Sequence, residues 1–380
     1  MKNNPLLKLE SFGQSIWLDF ISRGMLDSGD LLRLINEDGV TGVTSNPSIF
    51  EKAIAESNDY DETIRSLTRK RKNAAEIYEE LVVEDIRRTA DLFRPLYDRM
   101  EGRDGFVSLE VSPRLARDSA GTLREARHLW MRVDRPNLLI KVPGTHEGLT
   151  VIRQLISEGI NVNVTLLFGL PRYQEVAEAY ISGLEMRAAS GLPLDCISSV
   201  ASFFLSRIDV LVDQLLDEKL KEGGRHENNV FLLHGKVAIA SARSAYQLYK
   251  EIHTSERFRT LADEGARPQR VLWASTSTKN PAESDVKYVE ALIGPETINT
   301  IPLETLNAYR DHGNPALRLE DDLEETEQLL QHLAETGINI DAVTSQLENE
   351  GIEKFVKPFD KLIQALERKK NETAGATKLK

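Results

Sequence analysis

The chain has 380 residues, 41% of them hydrophobic and 28% charged, a composition that builds a large folded core and excludes intrinsic disorder. A formal charge of -12 and a pI near 5.3 oppose general binding to nucleic acid or anionic membrane. No stretch approaches the ~20 apolar residues of a membrane span, MKNNPLLKLESFGQS lacks a signal-peptide core, and a single cysteine precludes an intrachain disulfide, so the cytoplasm is the expected compartment.

Eight short apolar or alternating runs read as strands. In chain order they are SIWLDF from Ser15, GVTGVTSN from Gly39, FVSLEVS from Phe106, NLLIKVP from Asn137, INVNVTLLF from Ile160, CISSVASFF from Cys196, RVLWASTS from Arg270 and INTIPLETL from Ile298. Longer stretches with helical spacing separate them, which predicts a parallel sheet covered by helices. Residues 48–105 and 223–267 hold more helix than one crossover requires and read as insertions packed outside the sheet. Pro171 sits where a first helical turn tolerates it, and PRYQEVAEAYISGLEMRAASG keeps helical period until Gly191. Pro281 is expected to open another helix, PAESDVKYVEALIG, closed by Gly294. From Leu319 the chain is charged and helical, and ERKKNETAGATKLK has too little apolar surface to order itself. A doubly wound nucleotide-binding sheet lacks its glycine loop, since no GxGxxG string occurs. The expected fold is α/β: a single (β/α)8 TIM barrel over 1–366 with additional helices between strands and at the carboxyl terminus, then a flexible tail over 367–380.

Side chains alternate along a strand, so residues two apart share a face. That rule gathers Asn161, Asn163 and Thr165 on one side of the fifth run, and Ser108, Glu110 and Ser112 on one side of the third. Trp17 shares a face with Asp19, Thr44 with Asn46, and Leu139 with Lys141; Ser198 and Ser202 add to the sixth run, Ser275 and Ser277 to the seventh. Barrel interiors are filled with branched apolar side chains, and catalytic groups stand at the carboxyl ends of the strands, so these polar faces point to a site. Structural alternatives exist for each. A strand Asn or Ser is often just a satisfied polar group, Asp19 could cap the next helix, Asn46 before Pro47 could make a turn, and Cys196 reads as a small buried apolar side chain. Lys141 resists such a reading, because lysine is rarely buried without a partner and this one stands inside NLLIKVPG. A lysine that attacks carbonyls near neutral pH needs a lowered amine pKa, and desolvation is one route to it.

Six strings in order, TSNPSIF, SLEVSPRLA, NLLIKVPGT, GINVNVTLLF, SFFLSRID and WASTSTKNP, make the chain resemble the transaldolases, in their longer bacterial form, from about Ser15 to Gly313. The resemblance implies a class I aldolase-type barrel without metal or cofactor. The implied reaction moves a dihydroxyacetone unit from sedoheptulose 7-phosphate to glyceraldehyde 3-phosphate, giving erythrose 4-phosphate and fructose 6-phosphate in the non-oxidative pentose phosphate pathway. It makes Lys141 the Schiff-base lysine, Asp19 the acid/base beside the broken bond, Glu110 a carboxylate working through water, and Thr165 the residue holding that water. Asn46 and Asn163 match asparagines that bind substrate, Ser202 and Phe204 the sixth-strand positions, and Arg207 the phosphate arginine. Ser275 falls on the seventh-strand face of the implied substrate pocket. Shorter members carry a second phosphate arginine where this chain has Lys279, a point charge in place of a planar fork.

Arg207 has a rival reading as an ion pair at the start of RIDVLVDQLLDEKL. Three alternatives to transfer also remain. A lyase on the same scaffold would release free dihydroxyacetone. A metal-dependent aldolase would need convergent histidines, but the seven histidines show no HxH or HExxH spacing. A non-catalytic sugar-phosphate-binding barrel would have no use for an imine-forming lysine. The expected partners are phosphorylated sugars, with no nucleic acid and no membrane; the oligomeric state is not legible.

Overall fold

The computed structural model describes residues 4–221 and 227–378. Eight parallel strands close into a barrel in sequence order: β1 (Gln14–Leu18), β2 (Val40–Thr44), β3 (Val107–Glu110), β4 (Leu138–Pro143), β5 (Val162–Leu167), β6 (Ser199–Phe204), β7 (Arg270–Ala274) and β8 (Thr297–Ile301). Each falls on one of the eight runs expected as strands, with β1 and β8 beginning one residue earlier than expected, at Gln14 and Thr297, and β8 pairs with β1 to seal the sheet. Closure removes both sheet edges, and parallel strands covered by helices are buried on both faces, which is why they read as short apolar runs.

Register decides what meets what inside. Glu110 pairs with Lys141, Lys141 with Asn163, and Pro143 with Thr165, so the polar residues of β3, β4 and β5 stand side by side near the carboxyl ends. The intervening residues Leu109, Ile140, Val142, Val162 and Val164 face the helices and are almost fully buried. Toward the amino end the barrel is filled by Trp17, whose indole donates to Asp104 Oδ1 at 2.8 Å. Gly42 gives that ring room: a Cβ there would lie 2.7 Å from three of its atoms.

The expected insertions are present as Pro47–Ala55, Asp61–Arg69 and Ala74–Arg99 before β3, and Glu227–Leu233, Val237–Thr254 and Glu256–Asp263 before β7. Residues 222–226 of the second insertion lie outside the described residues. Ala74–Arg99 begins with a reciprocal capping box between Asn73 and Glu76. Leu170–Ala189 carries Pro171 in its first turn, as the spacing predicts, and Gly191 follows at φ 69°.

Two local expectations are corrected. No helix opens at Pro281, and only Lys287–Ala291 is helical. Asn280 Oδ1 instead accepts from Ala282 N–H and Ser284 O accepts from Thr278, so local polar bonds hold the preceding segment in turns. Cys196 is exposed, not buried, because β6 begins only at Ser199 and leaves it in the preceding loop.

The carboxyl-terminal segment forms Leu323–Glu335 and a long closing helix, Ile340–Lys378, which packs on the first insertion. Arg114–Asp360 at 2.6 Å and Arg172–Glu348 at 3.0 Å tie this helix to segments following β3 and β5. It thereby crosses the carboxyl ends of the strands. The backbone of the segment expected as a tail is helical to Lys378, and residues 379–380 lie outside the described residues.

Candidate active site

Lys141 stands on the floor of a cleft at the carboxyl end of the barrel. Its side chain is 6% exposed, and Nζ donates to the Ser45 carbonyl at 3.0 Å. Glu110, one strand away, places Oε2 3.8 Å from that nitrogen, an electrostatic contact longer than a hydrogen bond. The loop after β1 brings Asp19, which accepts from Thr44 Oγ1 at 2.7 Å, and Thr44 is 2.6 Å from Thr300 Oγ1 on β8. Burial pushes the Asp19 carboxyl above its ordinary range, against the opposing pull of Lys141 and the Thr44 bond. Burial likewise raises Glu110, opposed first by Lys141 and reinforced by the nearby charge of Asp19. One cation thus lies among two carboxyls that each resist ionisation.

The walls are as specific. Asn163 donates to Ser108 Oγ at 3.0 Å and accepts from Ser202 Oγ at 2.7 Å, so its amide is held from β3, across the barrel interior, and from the adjacent β6. Asn46 Oδ1 accepts from Ile49 N–H at 3.1 Å and caps Pro47–Ala55, which leaves the amide NH2 as a donor at the cleft. Thr165 Oγ1 and Glu110 Oε2 are buried and have no hydrogen-bond partner in the protein. Leu166, next to Thr165, takes a left-handed φ of 62°, and the β5–β6 register shifts between Val164 and Leu167. Such a conformation is strained for a branched side chain and coincides with the end of the polar face. Ser275 is also left-handed, at φ 57°, and its hydroxyl meets Ser206 Oγ at 2.9 Å.

Phe204 and Arg207 close one side, together with Phe355 from the closing helix. The Arg207 guanidinium lies 5.6 Å from the Phe204 ring centre and 5.7 Å from that of Phe355. Burial lowers its pKa, opposed by Glu350 and then Glu110. Among the described residues it forms no ion pair at the start of its helix, so that rival reading finds no partner. Asp19 does not cap the next helix either, since Ser22 fills that position and accepts from Met25 N–H.

Of the residues expected at the site, Asp19, Asn46, Lys141, Ser202, Phe204, Arg207 and Ser275 line this cleft, with Glu110, Asn163 and Thr165 beside it. Lys279 stands apart: it is exposed and bonds Ser277 Oγ at 2.5 Å. Asn161 is a structural group, donating to the Pro136 and Leu138 carbonyls below the cleft. The reading missed Thr300, the Ser45 carbonyl and Phe355. None of the three gave a signal: Thr300 lies in a strand, TINTI, that is already polar at Thr297 and Asn299, a backbone carbonyl carries no sequence mark, and Phe355 is one apolar residue of a distant helix. Among the described residues, no three His, Cys, Asp or Glu side chains are grouped to hold a metal ion.

A larger cavity of about 630 Å³ opens at the amino end, lined by Trp17, Asp104, Phe106 and Arg270 among others. Its central polar groups answer one another: Ser15 and Trp17 donate to Asp104, and Arg270 donates to Ser15 Oγ and the Thr297 carbonyl. None of the groups around Lys141 reaches it.

The fold and the cleft together define a class: a (β/α)8 barrel enzyme with a buried amine and two carboxyls raised by burial at the strand ends. A family model described as Transaldolase/Fructose-6-phosphate aldolase matches residues 16–366. The chain is 51% identical to Transaldolase of Trichodesmium erythraeum over 373 residues, 97% of this chain and 98% of that protein. It is 49% identical to Transaldolase of Thiobacillus denitrificans over 351 residues, 92% and 96% of the two chains. With Transaldolase of Saccharopolyspora erythraea it shares 46% over 365 residues, 96% and 97%. The chain belongs to the transaldolase/fructose-6-phosphate aldolase family.

Proposed function

We propose that this cleft performs transaldolase chemistry through an imine on Lys141, moving a dihydroxyacetone unit from a ketose phosphate to an aldose phosphate. The donor and acceptor are sedoheptulose 7-phosphate and glyceraldehyde 3-phosphate, and the setting is the non-oxidative pentose phosphate pathway. The observation that carries the reading is the buried Lys141 amine at the cleft floor, 3.8 Å from Glu110, with Asp19 also on the lining.

Breaking a carbon–carbon bond beside a ketone leaves an electron pair that a neutral carbonyl accepts poorly and a protonated imine accepts well. Lys141 Nζ adds to the ketose C2, and the carbinolamine loses its hydroxyl as water. Glu110 supplies and recovers the protons of that step; its open Oε2 and the open Thr165 Oγ1 suit a water relay. Asp19 takes the C4 hydroxyl proton, the C3–C4 bond breaks, and its electrons pass into the imine to give a three-carbon enamine. The aldose leaves. The enamine C3 then attacks the acceptor aldehyde, Asp19 returns the proton to the new alkoxide, and hydrolysis frees Lys141. Asn163, held by Ser108 and Ser202, and Asn46 are placed to bind the enamine hydroxyls, so that it waits for an acceptor. Arg207 is the phosphate ligand, with Ser275 beside it on the cleft.

The acidic charge and single cysteine support a cytoplasmic protein that does not bind nucleic acid. Among the described residues, no helix is long and apolar enough to cross a membrane. Borohydride reduction with fructose 6-phosphate, followed by peptide mass spectrometry, tests the chemistry. The expected adduct sits on Lys141 and vanishes in Lys141→Met; an adduct elsewhere, or none, would sink the imine mechanism. Release of free dihydroxyacetone at full rate without an acceptor would make the enzyme a lyase.

A further inference from the structure

We infer that Phe355, from the closing helix and not from the barrel, is a positioning residue that aims Arg207 at the sugar phosphate. The inference rests on the reading of Arg207 as the phosphate ligand. Its guanidinium carbon lies 5.6 Å from one ring centre and 5.7 Å from the other, and the Phe204 and Phe355 rings are 6.5 Å apart at 60°. Arg207 therefore contacts the faces or edges of two aromatic rings, an arrangement that attracts a cation and restricts its orientation. Its Nη1 is buried and has no hydrogen-bond partner. A guanidinium donor that is buried and open is costly until an anion completes it.

The acidic groups near Arg207 do not complete it. Glu350, on the turn of the closing helix before Phe355, is engaged by Gln346 at 2.8 Å and Lys354 at 3.1 Å. Glu110 is committed to the Lys141 side of the cleft. The vacant donor is thus matched to an incoming phosphate oxygen, and Phe355 keeps it from relaxing toward water. Because Phe355 meets the cleft at Arg207 and Phe204, its loss should act on phosphate binding and spare the chemical step.

The experiment measures steady-state kinetics with fructose 6-phosphate as donor and inorganic phosphate as competitive inhibitor, in wild type, Phe355→Leu, Phe355→Tyr and Arg207→Leu. Phe355→Leu is expected to raise KM and the phosphate inhibition constant together, by about tenfold, with kcat within about twofold. Phe355→Tyr, which keeps the ring, should restore both constants. An unchanged inhibition constant in Phe355→Leu with a raised one in Arg207→Leu would overturn the role of Phe355 and leave Arg207 as the phosphate ligand. Unchanged constants in both variants would overturn both. A loss of kcat at constant KM, or a Tyr variant as impaired as Leu, would also refute positioning and leave only packing.

Discussion

Replacing Lys141 by methionine tests the electrostatics of the cleft independently of its chemistry. Methionine fills a similar volume and removes the cation that lies 3.8 Å from Glu110. At that separation, and with an effective permittivity of ~20, the attraction is about 4 kcal/mol. Glu110 need not forfeit all of it, because the carboxyl can take up a proton. Holding a proton at pH 7 on a group of ordinary pKa 4.5 costs about 3.4 kcal/mol, which caps the loss. The wild-type carboxyl is already raised by burial, so part of that cost is present before mutation, and the difference at pH 7 should be at most about 3 kcal/mol. The sign follows from linkage. Lys141 opposes the rise of both Glu110 and Asp19, so its removal raises their folded-state pKa values further. A carboxyl raised on folding loses stability as pH climbs from its unfolded pKa through its folded one. The Met variant should therefore fall behind wild type progressively as pH rises above the ordinary carboxyl value of about 4.5, and match it at the acid end, where the carboxyls are protonated in both proteins. Urea midpoints measured across that range report the difference. A deficit independent of pH, or one that grows toward acid, would refute the coupling of Lys141 to the two carboxyls.

The remaining predictions concern the same neighbourhood and its support. Glu110→Gln and Asp19→Asn should each lower kcat by roughly 10²-fold in steady-state assays, with the folded state retained by circular dichroism. Thr44→Val removes a hydrogen bond that lowers the Asp19 pKa, so the acid limb of the kcat/KM profile should move to higher pH; an unmoved limb would separate Asp19 from the essential base. Gly42→Ala puts a Cβ 2.7 Å from the fixed Trp17 ring, which should cost about 1–3 kcal/mol in thermal or urea melts and alter tryptophan fluorescence.

How much of this was legible in the chain depends on whether a residue violates its surroundings. The strands were legible because two-faced burial leaves short apolar runs, and Lys141, Glu110 and Asn163 because each interrupts such a run with a group that cannot be buried idly. Adjacency in register then made neighbours of Glu110, Lys141 and Asn163, which alternation alone could place on a face but not at a level. Thr44 and Thr300 were quieter. Threonine is a good strand former, so its presence in a strand signals nothing, and only the closure of β8 onto β1 brings Thr300 to Thr44 and so to Asp19. Pro281 misled for a local reason, since Asn280 and Thr278 take backbone groups that a helix would have used. Cys196 misled because its run fused a loop to a strand.

Phe355 was beyond sequence reading altogether. On its own helix it is one more apolar residue in an amphipathic pattern, and its meaning comes from Arg207, which belongs to a different layer of the fold. That separation has a physical consequence. The barrel fixes the reacting end through strand register, where a displacement would break many backbone bonds at once. The phosphate end depends on a helix held by side-chain pairs such as Arg114–Asp360 and Arg172–Glu348, the first of them between exposed groups that contribute little individually. The amine and carboxyls are therefore set rigidly, whereas the grip on phosphate can be altered from the closing helix without disturbing them.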